Sequence, residues 1–174
     1  GWAVSNEAAN TTCVNCLIIK NKAPKGASIY NNASLPTLLN TTIADNTGAQ
    51  GATLYNANSS TPRIVNSVSV KNSTDIFNDA SSVNPENSII QGRNGITTTT
   101  SVFDTNYTLL SGSLAVNTGA NNPASLALPV KDLKGKPRII GATVDMGVFE
   151  RNQTQTITAT DITKIYGDAP FTNG

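Results

Sequence analysis

The chain has 174 residues, a net charge of +1, 13% charged residues and no histidine. This balance supplies no field for nucleic acid, and no apolar run approaches the roughly 18 residues of a membrane helix. Without histidine there is no Ser-His or Cys-His catalysis and no histidine-liganded metal site.

Asparagine, threonine and serine are abundant, which favours strands and tight turns over helices. The chain opens on GWAVSNEAAN without a methionine, and we read it as a piece of a longer protein whose targeting signals lie elsewhere. CVNC follows, with Cys13 and Cys16. A thioredoxin-like redox pair needs a βαβ setting that this pattern lacks, and one pair falls short of the four ligands of a structural zinc site. The plainer reading is two small buried residues of one coil, at the positions Leu38 and Thr41 take in the next. Whether they are free or bonded stays open.

GASIYNNASLPTLLNTTIADN, from Gly26, is then echoed by GATLYNANSSTPRIVNSVSVKN, from Gly51. Gly26 to Gly51 is 25 residues, and Asn40 to Asn66 and Asn46 to Asn72 are each 26. Upstream, Asn15 to Asn40 and Asn21 to Asn46 are both 25; downstream the period shortens, with Asn66 to Asn87 at 21. Short apolar runs at this period, without a leucine ladder, predict one turn of a β-solenoid per repeat: three strands and three turns, each coil paired in parallel with the next. Asn15, Asn40 and Asn66 recur at one turn, where left-handed backbone and amide-to-amide bonding between coils are expected. Alternation after that turn places Cys16 and Ile18 inside, stacked with Thr41 and Ile43. The same register in the third coil turns Ser67 and Ser69 inward and Val68 and Val70 outward, so a one-residue shift or bulge is expected there. The unpaired edge of the stack falls at its N-terminal end.

Chemistry-bearing residues are sparse. Asp75, Asn78 and Asp79 in STDIFNDASS are the closest approach to a calcium cluster, and a solvated loop is the simpler account. Asp45, Glu86 and Asp104 are scattered, as are Lys20, Lys22, Lys25, Lys71 and Arg93. The Thr97–Phe103 run is contiguous rather than repeated once per coil, so it reads as a β-branched strand and not an ice-binding array. Sequons at Asn10, Asn32, Asn40, Asn58, Asn72, Asn106 and Asn152 read as chance products of composition, with Asn40 turned inward. In LKGKPR, Gly135 and Pro137 mark a turn; RIIGATVDMGVFE then supplies aliphatics to lie over the last coil. Arg138, Asp145 and Glu150 are expected to form ion pairs there. An acid/base role for Asp145 and Glu150 is the sharper reading and paired carboxylates the plainer one. After Glu150, RNQTQ reads as a linker. TITATDITKIYGDAPFTNG then alternates Ile157, Ala159, Ile162 and Ile165 with polar residues.

SGSLAVNTGANNPASL followed by KDLKGKPRIIGATVDMGVFE resembles the C-terminal end of right-handed parallel β-helix proteins secreted by bacteria. That end is typified by a GSPAINAG box and a DLDGNPRIVGGTVDMGAYE box. GASIYNNASLPTLLNTTIADN resembles that family's GGAIYNNSSSPTITNCTFSGN coil, so the likeness spans about Gly26 to Glu150. Leu114 stands where the family has proline, and Ala27 and Ala52 stand where a second glycine is common, which suggests a slightly roomier turn. The final segment resembles the start of a tandem bacterial surface repeat, a small β-sandwich marked by K-x-Y-G-D.

The expected fold is therefore all-β: a right-handed parallel β-helix with a C-terminal cap, then a linker and a truncated β-sandwich. Residues 1–92 are expected to form coils, 93–150 the last coil and cap, and 151–174 the linker and first sandwich strand or strands. The resemblance implies a non-catalytic structural or adhesive segment of a large secreted or cell-surface bacterial protein. It implies glycans or further copies as partners, and a surface filament or layer as the assembly. The alternative is the non-catalytic tail of a β-helix polysaccharide lyase or hydrolase. No catalytic residue, metal ligand or cofactor site is assigned, and neither nucleic acid nor membrane insertion is expected.

Overall fold

The computed structural model describes residues 1–97 and 99–152. Its strands are β1 Val4–Glu7, β2 Thr12–Val14, β3 Leu17–Ile19, β4 Ile29–Asn32, β5 Thr37–Leu39, β6 Thr42–Ala44, β7 Leu54–Ala57, β8 Arg63–Val65, β9 Val68–Val70, β10 Phe77–Asn78 and β11 Ile89–Ile90. They form three parallel sheets, ordered β1-β4-β7-β10, β2-β5-β8 and β3-β6-β9-β11. Each sheet takes one strand per repeat, so the chain winds as a β-solenoid of about three turns. No helix among the described residues is long and apolar enough to cross a membrane.

The period in the sequence is the register of the sheets. Ile29 pairs with Leu54, Leu38 with Ile64, and Cys13 with Leu38. Stacked aliphatics fill the interior: Ile18, Ile29, Leu38, Ile43, Leu54, Ile64 and Ile90 form one cluster, with Val4, Cys13 and Cys16 packed against it. Each fully buried aliphatic contributes about 1.5–3 kcal/mol, mostly at contacts between coils.

Two polar ladders run through this interior at the corners. On one, the Nδ2 of Asn6 donates to Asn31 Oδ1 at 2.7 Å, Asn31 to Asn56 at 2.8 Å, and Asn56 to Asn78 at 2.7 Å. On the other, Asn21 donates to Asn46 and Asn46 to Asn72, each at 3.0 Å, and Gln91 ends the series by accepting the Asn72 backbone N–H. A buried amide costs free energy unless bonded, and here each amide satisfies the coil beside it.

The Asn15, Asn40 and Asn66 turn takes the expected left-handed backbone, with φ of 52°, 48° and 49°. Their side chains, however, do not bond to one another. They point outward to residues 115–150, which run along the flank of the solenoid as a strap. Asn15 donates to Lys131 O, Asn40 to Asp145 O, and Asn66 both donates to Ala120 O and accepts from Ala120 N. Asn40 is buried, as expected, but beneath the strap and not in the interior.

The expected shift at Ser67–Val70 does not occur: Thr42, Ile43 and Ala44 pair directly with Val68, Ser69 and Val70. Ser67 and Ser69 do face inward, where Ser67 Oγ donates to Val65 O and Ser69 Oγ to Thr53 Oγ1. Val68 and Val70 face outward and are still fully buried, because Val102, Phe103, Tyr107, Leu109, Ala115, Met146, Val148 and Phe149 cover them. The aliphatics expected over the last coil thus lie against the outer face of the third sheet. Gly147 permits this close approach, since a Cβ there would stand 2.8 Å from Thr42 Oγ1 and its φ is +92°. Nor is the glycine turn roomier: Ala23, Ala27 and Ala52 pack as a buried cluster, and a Cβ on Gly51 would stand 2.4 Å from Leu54 O.

Replacing Asn46 by alanine strips partners from Asn21, Asn72 and the Ile18 and Ala44 carbonyls. Urea unfolding will show a loss of about 3 kcal/mol with an unchanged slope, whereas exposed Asn106→Ala will cost under about 0.5 kcal/mol.

Candidate functional site

Along the outside of the first sheet, alternation brings Tyr30, Tyr55 and Phe77 into one row. Coils about 4.8 Å apart match the thickness of aromatic rings, so the rings stack face to face. Trp2–Tyr30, Tyr30–Tyr55 and Tyr55–Phe77 centroids are 4.9, 5.4 and 5.0 Å apart, with planes within 23°. Inner ring faces are therefore consumed, and the row presents ring edges and hydroxyls outward. Trp2, at its end, keeps an exposed indole, held by Nε1 donating to Lys25 O at 2.6 Å.

Polar groups flank this row. Asn32 Nδ2 donates to Glu7 Oε2 at 2.6 Å and Asn58 Nδ2 to Asn32 Oδ1 at 2.5 Å. Lys25 Nζ lies 3.3 Å from Tyr55 OH and 5.1 Å from the Tyr55 ring centroid. A groove of about 450 Å³ opens beside Trp2, lined by Tyr30, Lys25, Glu7 and Pro24. The Gly-Ala-x-x-Tyr-Asn repeat held the signal for the row; Trp2, outside the repeat, did not.

The strap holds the densest charge. Arg138 Nη1 and Glu150 Oε1 pair at 3.1 Å with both side chains buried, as the sequence suggested. Arg138 also donates to Gly147 O, Val148 O and Asn15 Oδ1, which ties the strap to the first coil. Glu150 accepts the Asp145 N–H on both oxygens. Asp145 accepts the N–H groups of Asn117 and Arg151, and Asp132 those of Lys134, Lys136 and Glu150. Asp145 and Glu150 are each 1% exposed, so a substrate has no approach to them. This geometry is that of paired structural carboxylates. Burial, then the neighbouring Asp145 charge, pushes the Glu150 carboxyl up to about 8, against the pull of Arg138. Burial likewise raises Asp145 and lowers Arg138. The sequence missed Asp132 and Asn117, although DLKG is legible as an Asx turn.

The remaining candidates do not converge. Asp75 Oδ1 accepts from Gln91, Asn78 ends an amide ladder, and among the described residues no three acidic, cysteine or histidine side chains gather to hold a metal. Among the sequons, Asn40 and Asn72 are buried. The linker and sandwich start lie, from Gln153 on, outside the described residues. No protein-family model, no curated protein and no solved structure matches the chain.

Glu150 titrates higher folded than unfolded, so the folded chain holds an extra proton between about 4.5 and about 8. Its contribution is complete below the lower value and is lost as pH rises through the upper one. Across this window the wild type will lose stability with rising pH relative to Glu150→Gln; a constant difference would show that Glu150 does not titrate there.

Proposed function

We propose that the chain is a non-catalytic structural and adhesive segment of a large secreted or cell-surface bacterial protein, that residues 93–150 serve as its cap along the flank, and that its ligands are glycans. The observation that carries this reading is the outer face of the first sheet. There, an aromatic row ending in an exposed indole is bordered by a carboxylate, two amides and an ammonium. Sugars are recognised by this combination: an aromatic face takes the C–H side of a pyranose, and charged and amide groups bond its hydroxyls. The parallel stack supplies rigidity, because each coil is hydrogen-bonded to its neighbours and the strap bonds to Asn15, Asn40 and Asn66.

Trp2 is the single tryptophan, so its fluorescence reports on this face alone. Titration with cello-, xylo- and chito-oligosaccharides will give a saturable emission change, weakened in Glu7→Gln and in Lys25→Ala, with no new reducing ends. A flat response to all of them would overturn the adhesive reading. Release of reducing ends or unsaturated uronates by this chain would overturn the non-catalytic reading.

A further inference from the structure

The first coil differs from the others at one corner. Where β2 turns into β3 through Asn15, the inward positions on either side are Cys13 and Cys16. In the second coil, Cys13 pairs with Leu38 and the residue after the turn is Thr41; in the third, the pair is Ile64 and Ser67. Cys16, Thr41 and Ser67 all donate to the carbonyl two residues back, at 3.6, 3.3 and 2.8 Å. The corner is thus one conserved shape in three coils, and only the first fills it with two thiols.

Side chains pointing inward on either side of a sharp bend converge. Both side chains pack on the same aliphatic cluster. A disulfide needs Cα atoms roughly 4.4–6.8 Å apart, a spacing that residues i and i+3 of a tight turn meet. β2 and β3 are edge strands of their sheets in this chain, and both thiols are half-buried. We propose that Cys13 and Cys16 are a reversible dithiol/disulfide site, oxidised within the coil by a small-molecule disulfide.

The hydrogen bond from Cys13 lowers Cys16 to about 7, which makes it the attacking thiolate, while the same bond and burial push Cys13 up. Cys16 Sγ attacks one sulfur of the oxidant, breaks its S–S bond and releases one thiolate. Cys13 then loses its proton as it attacks Cys16 Sγ, forms the Cys13–Cys16 bond and expels the second thiolate. Two protein thiols are oxidised, one small disulfide is reduced to two thiols, and the protons end on those thiols.

The test is equilibration of the folded chain with excess oxidised glutathione, followed by intact mass and thiol titration. The expected product has lost about 2 Da, has no titratable thiol, and yields a single cross-linked peptide between Cys13 and Cys16; dithiothreitol restores the starting mass. Cys13→Ser will stop at a stable glutathione adduct on Cys16 and will react faster than Cys16→Ser. Two free thiols remaining in the folded wild type, under conditions that oxidise the urea-unfolded chain, would overturn the proposal. A persistent mixed disulfide or a disulfide-linked dimer of the wild type would do the same.

Discussion

Everything in this structure follows from coil-to-coil hydrogen bonding in parallel register, continued by side chains as well as by backbone. Strands of two to four residues supply little pairing energy alone. What fixes them is that each coil presents the same group at the same place. Asn6, Asn31, Asn56 and Asn78 form one inner corner, and Asn21, Asn46, Asn72 and Gln91 another. An amide carries both a donor and an acceptor, so it bonds the coil above and the coil below with one side chain. A slip of one residue would break both ladders and turn the inward aliphatics outward.

The strap is explained by the same constraint. With the ladders fixing register, the third coil must carry Ser67 and Ser69 inward and Val68 and Val70 outward. Two exposed valines beside Ala44 would leave an apolar face, and the chain covers it with its own C-terminal residues. The left-handed Asn turn then serves a second purpose. Once its backbone is set, the side chain is free to face outward, and Asn15, Asn40 and Asn66 become docking points along the strap's path. The Arg138–Glu150 pair closes the arrangement. Buried charges repay their desolvation only when well bonded: the Asp145 N–H serves Glu150 and the Gly147 and Val148 carbonyls serve Arg138, whose Nε alone keeps no partner.

Much of the coil architecture was legible because repeats report register directly: Ile18 with Ile43, and Cys13 with Leu38, can be read from spacing alone. The roles of the two kinds of asparagine could not be read so. Asn40 and Asn46 recur with the same period, yet one faces the strap and the other the interior. Spacing says that positions are equivalent, not which way they point. Ser69 misled for a related reason. Patterning assumes that outward means solvent, and that fails wherever a distant segment covers an outer face. Such long-range cover, as in Tyr107 bonding Asp45 at 2.7 Å, leaves no local trace.

The same geometry bears on where recognition is placed. The third sheet is covered by the strap, and the second is partly covered, since Leu39 and Val65 are buried while Thr12 and Val14 are exposed. The first sheet keeps Ser5 and Glu7 exposed beside its ring row. A stacked row stiffens that face, since each ring is wedged between those of adjacent coils, but it spends the ring faces in doing so. In the proposed glycan binding, ring faces are offered at Trp2, and edges, hydroxyls and amides along the length of the row. The glycan ligand we propose would use both, since a polysaccharide chain is long, regular and rich in hydroxyls.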